Sequence, residues 1–183
     1  MKSVYILFAE GFELIEAMAS IDVMHRAGIQ TKLVHVLPDK SVCSSHMLSK
    51  IDTHYSLDEV GTDADAIILP GGYPGYEILR TTPKVLDIVK AYDREEKIIA
   101  AICGAPTVLA AAGIRPHCKI TAHHSVHHLL SDYSVQNMSV VRDGNIITGA
   151  GAGQSINFAM AVLEALETDE IVRKVALGME IPR

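Results

Sequence analysis

The stretch KIIAAICGAPTVLAAAG, residues 97–113, decides the fold. After Lys97, residues 98–102 are a short run of isoleucine and alanine with no polar interruption, which is how a strand covered on both faces reads. The part from Pro106 to Ala112 consists of small residues and stops at Gly113. Proline suits a first helical turn and glycine the position just past the last one. Cys103 and Gly104 fall at the junction, so the chain turns from buried strand to helix within a few residues.

The pattern repeats outward in both directions. VYILF from Val4, KLVHV from Lys32 and AIILP from Ala66 are further apolar runs bounded by turn residues, and they read as buried strands. Helical segments lie between them at residues 12–26, ending at Gly28, and at 83–95, opened by Pro83. Alternation of this kind predicts an α/β fold with a mostly parallel central sheet covered on both faces. VVRDGNIIT places Asp143-Gly144 between two β-rich runs, which predicts a tight antiparallel hairpin decorating that sheet. SINFAMAVLEALE, from Ser155, is apolar around most of its circumference and predicts a deeply packed helix. No linker, repeat or low-complexity tract interrupts residues 1–183, so one domain is expected.

Composition narrows the function classes. The chain has 183 residues, 49% hydrophobic and 21% charged, close to globular averages. Lysine and arginine number 16 against 22 acidic residues, a formal net charge of -6, which opposes a phosphate backbone and argues against nucleic acid as a partner. No stretch reaches the roughly 18 consecutive apolar residues of a membrane span, so no membrane partner is expected. Glu10, Glu13 and Glu16 interrupt the N-terminal apolar run before it forms a secretory signal, and cytoplasmic residence is the expectation. Cys43, Cys103 and Cys118 have no metal-ligand spacing and are odd in number, so three free thiols are expected.

A cysteine is ordinarily a small buried hydrophobe. Cys103 departs from that background because strand ends in open α/β sheets are where ligand sites form. A helix N-terminus next to it would favour thiolate over thiol, and a sharp strand-to-helix turn holds its central residue as a nucleophile elbow does. Cys43, in a polar loop or edge strand, and Cys118, before a short strand, lack this setting and read as bystanders.

AICGAP (from Ala101), LPGG (from Leu69), AEGFELIEA (from Ala9), DVMHRAGI (from Asp22) and ITGAGAGQSINFAMAVLEAL (from Ile147) together resemble the ThiJ/PfpI superfamily, and within it the Parkinsonism-associated deglycase branch. The resemblance runs nearly end to end. It implies a flavodoxin-like three-layer sandwich of the class I glutamine amidotransferase-like kind, a homodimer, and a cofactor-independent enzyme without a metal. Cys103 matches the reactive cysteine. Glu16 matches the carboxyl that hydrogen-bonds it, although its residues alone would make it a solvated helix position no different from Glu10 or Glu13. The backbone N–H groups of Gly72 and Gly104 then suit an oxyanion hole for a carbonyl that gains charge as sulfur adds, and His123 matches a proton-shuttling histidine. For the dimer, the apolar Ile15, Met18 and Ile21 fit core or interface alike.

Two positions depart from the superfamily pattern. Gly104 stands where protease-like members carry a histidine, which argues against peptidase activity. Ser45 follows Cys43-Ser44 where the deglycase branch often has arginine, so an anion contact at that place is in doubt. His123, His124, His127 and His128 repeat at a spacing of four, which would gather imidazoles on a helix face. The segment lacks the glutamate of HExxH, and a pH-responsive face is the reading preferred over a metal site. GAGAGQ (from Gly149) is not G-x-G-x-x-G and reads as a close-packed loop entering the last helix, walling the thiol pocket.

The leading expectation is therefore a cysteine-dependent glyoxalase or deglycase acting on methylglyoxal-type dicarbonyls or on glycated protein. The rival is a redox-responsive chaperone or stress sensor that uses an oxidisable Cys103. A catalytically silent relative is the third.

Overall fold

The computed structural model describes residues 1–182. The elements run in the order β1 (Ser3–Phe8), α1 (Leu14–Arg26), β2 (Gln30–His35), β3 (Ser41–Cys43), β4 (Lys50–Asp52), β5 (Tyr55–Ser56), β6 (Ala66–Leu69), α2 (Gly75–Thr81) and α3 (Pro83–Arg94). Then follow β7 (Ile98–Ile102), α4 (Thr107–Ala112), β8 (Lys119–Ile120), β9 (Ser134–Val135), β10 (Val140–Asp143), β11 (Ile146–Gly149), α5 (Ser155–Leu166) and α6 (Asp169–Gly178). Seven strands form the central sheet in the order β10-β11-β7-β6-β1-β2-β5. All neighbours are parallel except β10 and β11.

The central strands β6 and β7, and β1 after Ser3, are apolar at every position because helices cover both faces. In β1, Val4, Ile6 and Phe8 enter one core cluster with Ala17, Val23 and Met24 of α1, Phe158 and Leu163 of α5, and Val172 of α6. Tyr5 and Leu7 enter the other, with Leu79 of α2, Val89 and Tyr92 of α3, and Val108 and Leu109 of α4. Alternation with a period of two thus supplies two cores from one strand, and each fully buried large side chain is worth about 1.5–3 kcal/mol relative to exposure. The flavodoxin-like three-layer expectation holds.

The hairpin forms with Asp143 opposite Ile146 and Gly144 at φ 62 in the turn. It joins the sheet as expected: β11 pairs in parallel with β7, so the hairpin forms one edge. Phe12 belongs to no helix. It is buried, pairs with Ser44 in an isolated bridge and packs edge-on against Phe8 at 4.8 Å. The helices α2 and α6 lay outside the expected set, the first because GGYPG reads as turn alone. Among the described residues, no helix is long and apolar enough to cross a membrane.

The chain leaves β1 for β2 on one side and returns to β6 on the other. That reversal opens a crevice at the carboxyl ends of β1 and β6, where ligands bind in doubly wound sheets.

Candidate active site at the carboxyl edge of the sheet

Three loops meet at this crevice, following β1, β6 and β7. Their backbones interlock: Glu13 N–H donates to Gly71 O at 2.8 Å, and Cys103 N–H donates to Gly149 O at 2.9 Å. Cys103 O in turn accepts from His123 N–H at 2.9 Å. Cys103 adopts φ 65, a conformation that L-residues with side chains rarely hold and that persists where neighbours over-determine it. Hydrogen bonds on both sides of the residue do so here. The expected elbow is present.

The backbone N–H groups of Gly72 and Gly104 favour the thiolate form of half-buried Cys103. Glycine is required at both places. A Cβ at Gly72, which sits at φ 89, would come within 2.4 Å of Glu13 N and Gly11 O, and one at Gly104 within 2.4 Å of the Tyr76 ring.

Glu16, in the first turn of α1, is fully buried, contrary to the solvated position its residues alone suggested. The helix turns Glu16, Ala17, Ser20, Val23 and Met24 inward, a spacing that follows the helical repeat. Its Oε2 accepts from Gly71 N–H at 2.7 Å, and Oε1 has no hydrogen-bond partner. Burial, reinforced by the charge of Glu13 and opposed by the Gly71 N–H and by Cys103, lifts its carboxyl from 4.5 to about 7. Gly71 was not singled out from the sequence, although it lies within LPGG. A Cβ there would stand 2.7 Å from Cys103 Cβ and 2.9 Å from Glu16 Oε2.

The thiol behaves differently from the expectation. Burial and then the Glu16 charge push Cys103 up to about 12, against the Gly72 and Gly104 N–H groups that favour thiolate. The helix that follows, α4, has only six residues and starts four positions after the cysteine, too short and too distant to outweigh desolvation. Cys103 and Glu16 therefore form a coupled pair. When Glu16 is charged it holds the proton on sulfur. When the proton moves to Glu16, the repulsion disappears and the neutral carboxyl becomes a donor toward sulfur.

His123 reaches the site through its backbone. Its imidazole Nδ1 lies 2.8 Å from Ser125 Oγ, its ring stacks on His124 at 4.2 Å, and a Cβ at Gly151 would lie 3.5 Å from its Cδ2. No hydrogen bond joins its imidazole to Sγ among the described residues. The expected helix face of histidines is a 3-10 segment, His124–Leu129. His127 is spent on Ala122 O, 3.0 Å from Nε2. Among the described residues no group of three or more His, Cys, Asp or Glu is arranged to hold a metal. Gly149, the last residue of β11, accepts from Cys103 N–H, and Ala152–Gln154 leads into α5. Ser45 donates from Oγ to Glu13 Oε2 at 3.0 Å, so the hydroxyl at the departing position is committed to a carboxylate.

The sequence model of the DJ-1/PfpI family matches residues 2–165. Protein dj-1beta of Drosophila melanogaster is 36% identical over 182 residues, covering 97% of this chain and 96% of its own. The crystal structure of that protein aligns at a TM-score of 0.95 and 34% identity, over 100% of this chain and 99% of the other. The glutathione-independent glyoxalase DJR-1.2 of Caenorhabditis elegans is 32% identical over 173 residues, 92% of this chain and 91% of that protein. An oxidized Toxoplasma gondii DJ-1 aligns at a TM-score of 0.92 and 26% identity, over 100% of both chains. The family match takes in Glu16, the Gly71-Gly72 pair, Cys103 and His123 alike, and this chain belongs to the DJ-1/PfpI family.

Proposed function

We propose that this chain is a cofactor-independent glyoxalase or deglycase whose nucleophile is Cys103, acting on methylglyoxal-type 2-oxoaldehydes and on the adducts they form with proteins. The observation that carries the reading is the buried Glu16 carboxyl, lifted to about 7 beside a sulfur that meets two backbone N–H groups. A proton acceptor of that strength is matched to a neutral working pH.

In this reading sulfur adds to the aldehyde carbon as its proton passes to Glu16, and Glu16 returns the proton to the new alkoxide, giving a hemithioacetal. As charge moves from sulfur to oxygen, the Gly72 and Gly104 N–H groups serve the oxygen. Loss of the proton on the former aldehyde carbon and its return at the neighbouring carbon gives a thioester of a 2-hydroxy acid. The aldehyde carbon is oxidised and the ketone carbon reduced, so no external oxidant enters. Water then releases the acid, lactate from methylglyoxal, and restores the thiol. His123 is proposed to assist the proton transfers from the rim. Support comes from the family and from the glyoxalase named among the relatives.

The deciding measurement follows methylglyoxal loss and lactate formation. The wild-type chain turns over and Cys103→Ala does not; equal rates would end the reading. A redox-sensing role for the same sulfur is supported by its partial exposure and by the oxidized relative. It predicts a sulfinic acid at Cys103 after mild peroxide and an activity in suppressing aggregation that Cys103→Ala loses. The homodimer and cytoplasmic residence expected from the sequence are carried here as proposals.

A further inference from the structure

One aromatic ring, Tyr76, packs on the residue that follows the thiol, and a second, Tyr73, stands next to it. Tyr76 lies in the first turn of α2, held by its N–H to Gly72 O at 2.9 Å. Its ring occupies the space a side chain at position 104 would take: an ideal Cβ on Gly104 would lie 2.4 Å from Cδ1, 2.6 Å from Cγ and 2.8 Å from Cε1. The ring therefore rests on the residue whose N–H meets the sulfur. Tyr73 stands next to it, ring centroids 6.2 Å apart and planes tilted by 57°, and is 72% exposed. The burial-raised Tyr76 phenol also feels the charge of Cys103.

The charges around this wall are already committed. Glu77 pairs with Arg80 at 3.1 Å, Glu10 accepts from Cys43 N–H at 3.0 Å, and Glu13 accepts from Ser45. What the wall offers a ligand is ring surface, and ring surface favours an uncharged, planar group stacked or set edge-on against it. Because the ring packs on Gly104, the residue next to Cys103, it lies within reach of the substituent on an aldehyde carbon bonded to sulfur.

We propose that Tyr76, with Tyr73 at its outer edge, is the specificity wall of this site and selects uncharged aromatic 2-oxoaldehydes of the phenylglyoxal kind over methylglyoxal. The proposal rests on the glyoxalase reading for its chemistry, while the wall itself is independent of turnover. Tyr76→Leu keeps apolar volume and removes the ring, and Tyr76→Phe keeps the ring and removes the hydroxyl.

The test compares kcat/KM for phenylglyoxal and methylglyoxal in the wild type and both variants. The ratio is expected to fall about tenfold in Tyr76→Leu, the scale of a lost aromatic pairing, and to persist in Tyr76→Phe. A purely structural tyrosine would lower both substrates together and leave the ratio unchanged, which would overturn the proposal. A second measurement reads the wall without catalysis: the rate at which phenacyl bromide, against bromoacetone, alkylates Cys103, a carbon–sulfur bond forming as bromide leaves and the thiol proton passes to water. If the wild type turns over neither aldehyde, the glyoxalase reading fails. The alkylation ratio still decides the wall: a fall in Tyr76→Leu upholds it, and an unchanged ratio refutes it.

Discussion

Replacing Glu16 with glutamine is expected to stabilise the protein above neutral pH while disabling its site. The carboxyl sits at about 7 in the fold, chiefly through burial, against 4.5 for the free group. A group that binds its proton more tightly when folded makes stability fall with rising pH, because between 4.5 and about 7 the folded state holds more protons than the unfolded one. Its contribution is complete below about 4.5 and lost above about 7. At about 1.36 kcal/mol per pH unit, that interval corresponds to roughly 3–4 kcal/mol. Glutamine keeps an oxygen for the Gly71 N–H, so the 2.7 Å bond has a successor. Its amide nitrogen takes the place of Oε1, which has no partner, at a pH-independent cost of about 1–2 kcal/mol. Relative to wild type, Glu16→Gln is thus destabilised by about 1–2 kcal/mol at pH 4 and stabilised by about 2 kcal/mol at pH 8. For a chain of this length the swing is about 7–14 °C in Tm. Thermal unfolding of both proteins by circular dichroism, from pH 4 to 8.5, reads it directly. A Tm difference that stays flat, or one that moves the other way, would refute the buried, proton-holding carboxyl. The same variant is expected to lose roughly 10²–10⁴-fold in kcat with methylglyoxal, the usual scale of one proton-transferring side chain.

Gly71→Ala is expected to lose activity and stability together, since its Cβ would meet Cys103 Cβ, Glu16 Oε2 and Ile102 O, all within 2.9 Å; unfolding and lactate assays on one preparation check this. Phe158→Ala empties a fully buried ring site between α5 and the sheet and is expected to cost about 3–5 kcal/mol, measured by urea unfolding. Gly144→Val places a β-branched residue at φ 62 in a turn with open space around it. The strain is expected to cost about 1–3 kcal/mol without changing methylglyoxal turnover, so a parallel loss of kcat would point to an unforeseen link between the hairpin and the site.

Much of this molecule was legible because its layers leave a repeating imprint. A strand such as β7 must be apolar on both faces, and a helix such as α4 must start and stop on residues that tolerate its ends, so Ile98, Pro106 and Gly113 announce their positions one at a time. Cys103 was legible for the same reason: it stands where one period gives way to another. Glu16 was not, because burial of a carboxylate leaves no local mark. Its neighbours in sequence are those of an ordinary amphipathic turn, and only the arrival of Gly71 from a loop 55 residues away makes the position polar enough to hold it. Gly71 and Tyr76 escaped for a related reason. Each matters through the atom it lacks or the space it fills opposite another loop, and LPGGYPGY reads as turn whatever lies across from it. The direction of the Cys103 shift was misread because the sequence shows the helix to come but not its length or the depth of the sulfur. Local signals thus located the nucleophile, whereas its proton partner and its walls are set by contacts between loops that meet only at the carboxyl edge of the sheet. Substitutions that alter chemistry without altering the fold should therefore concentrate at positions 16, 73 and 76 more than along the strands that first revealed the architecture.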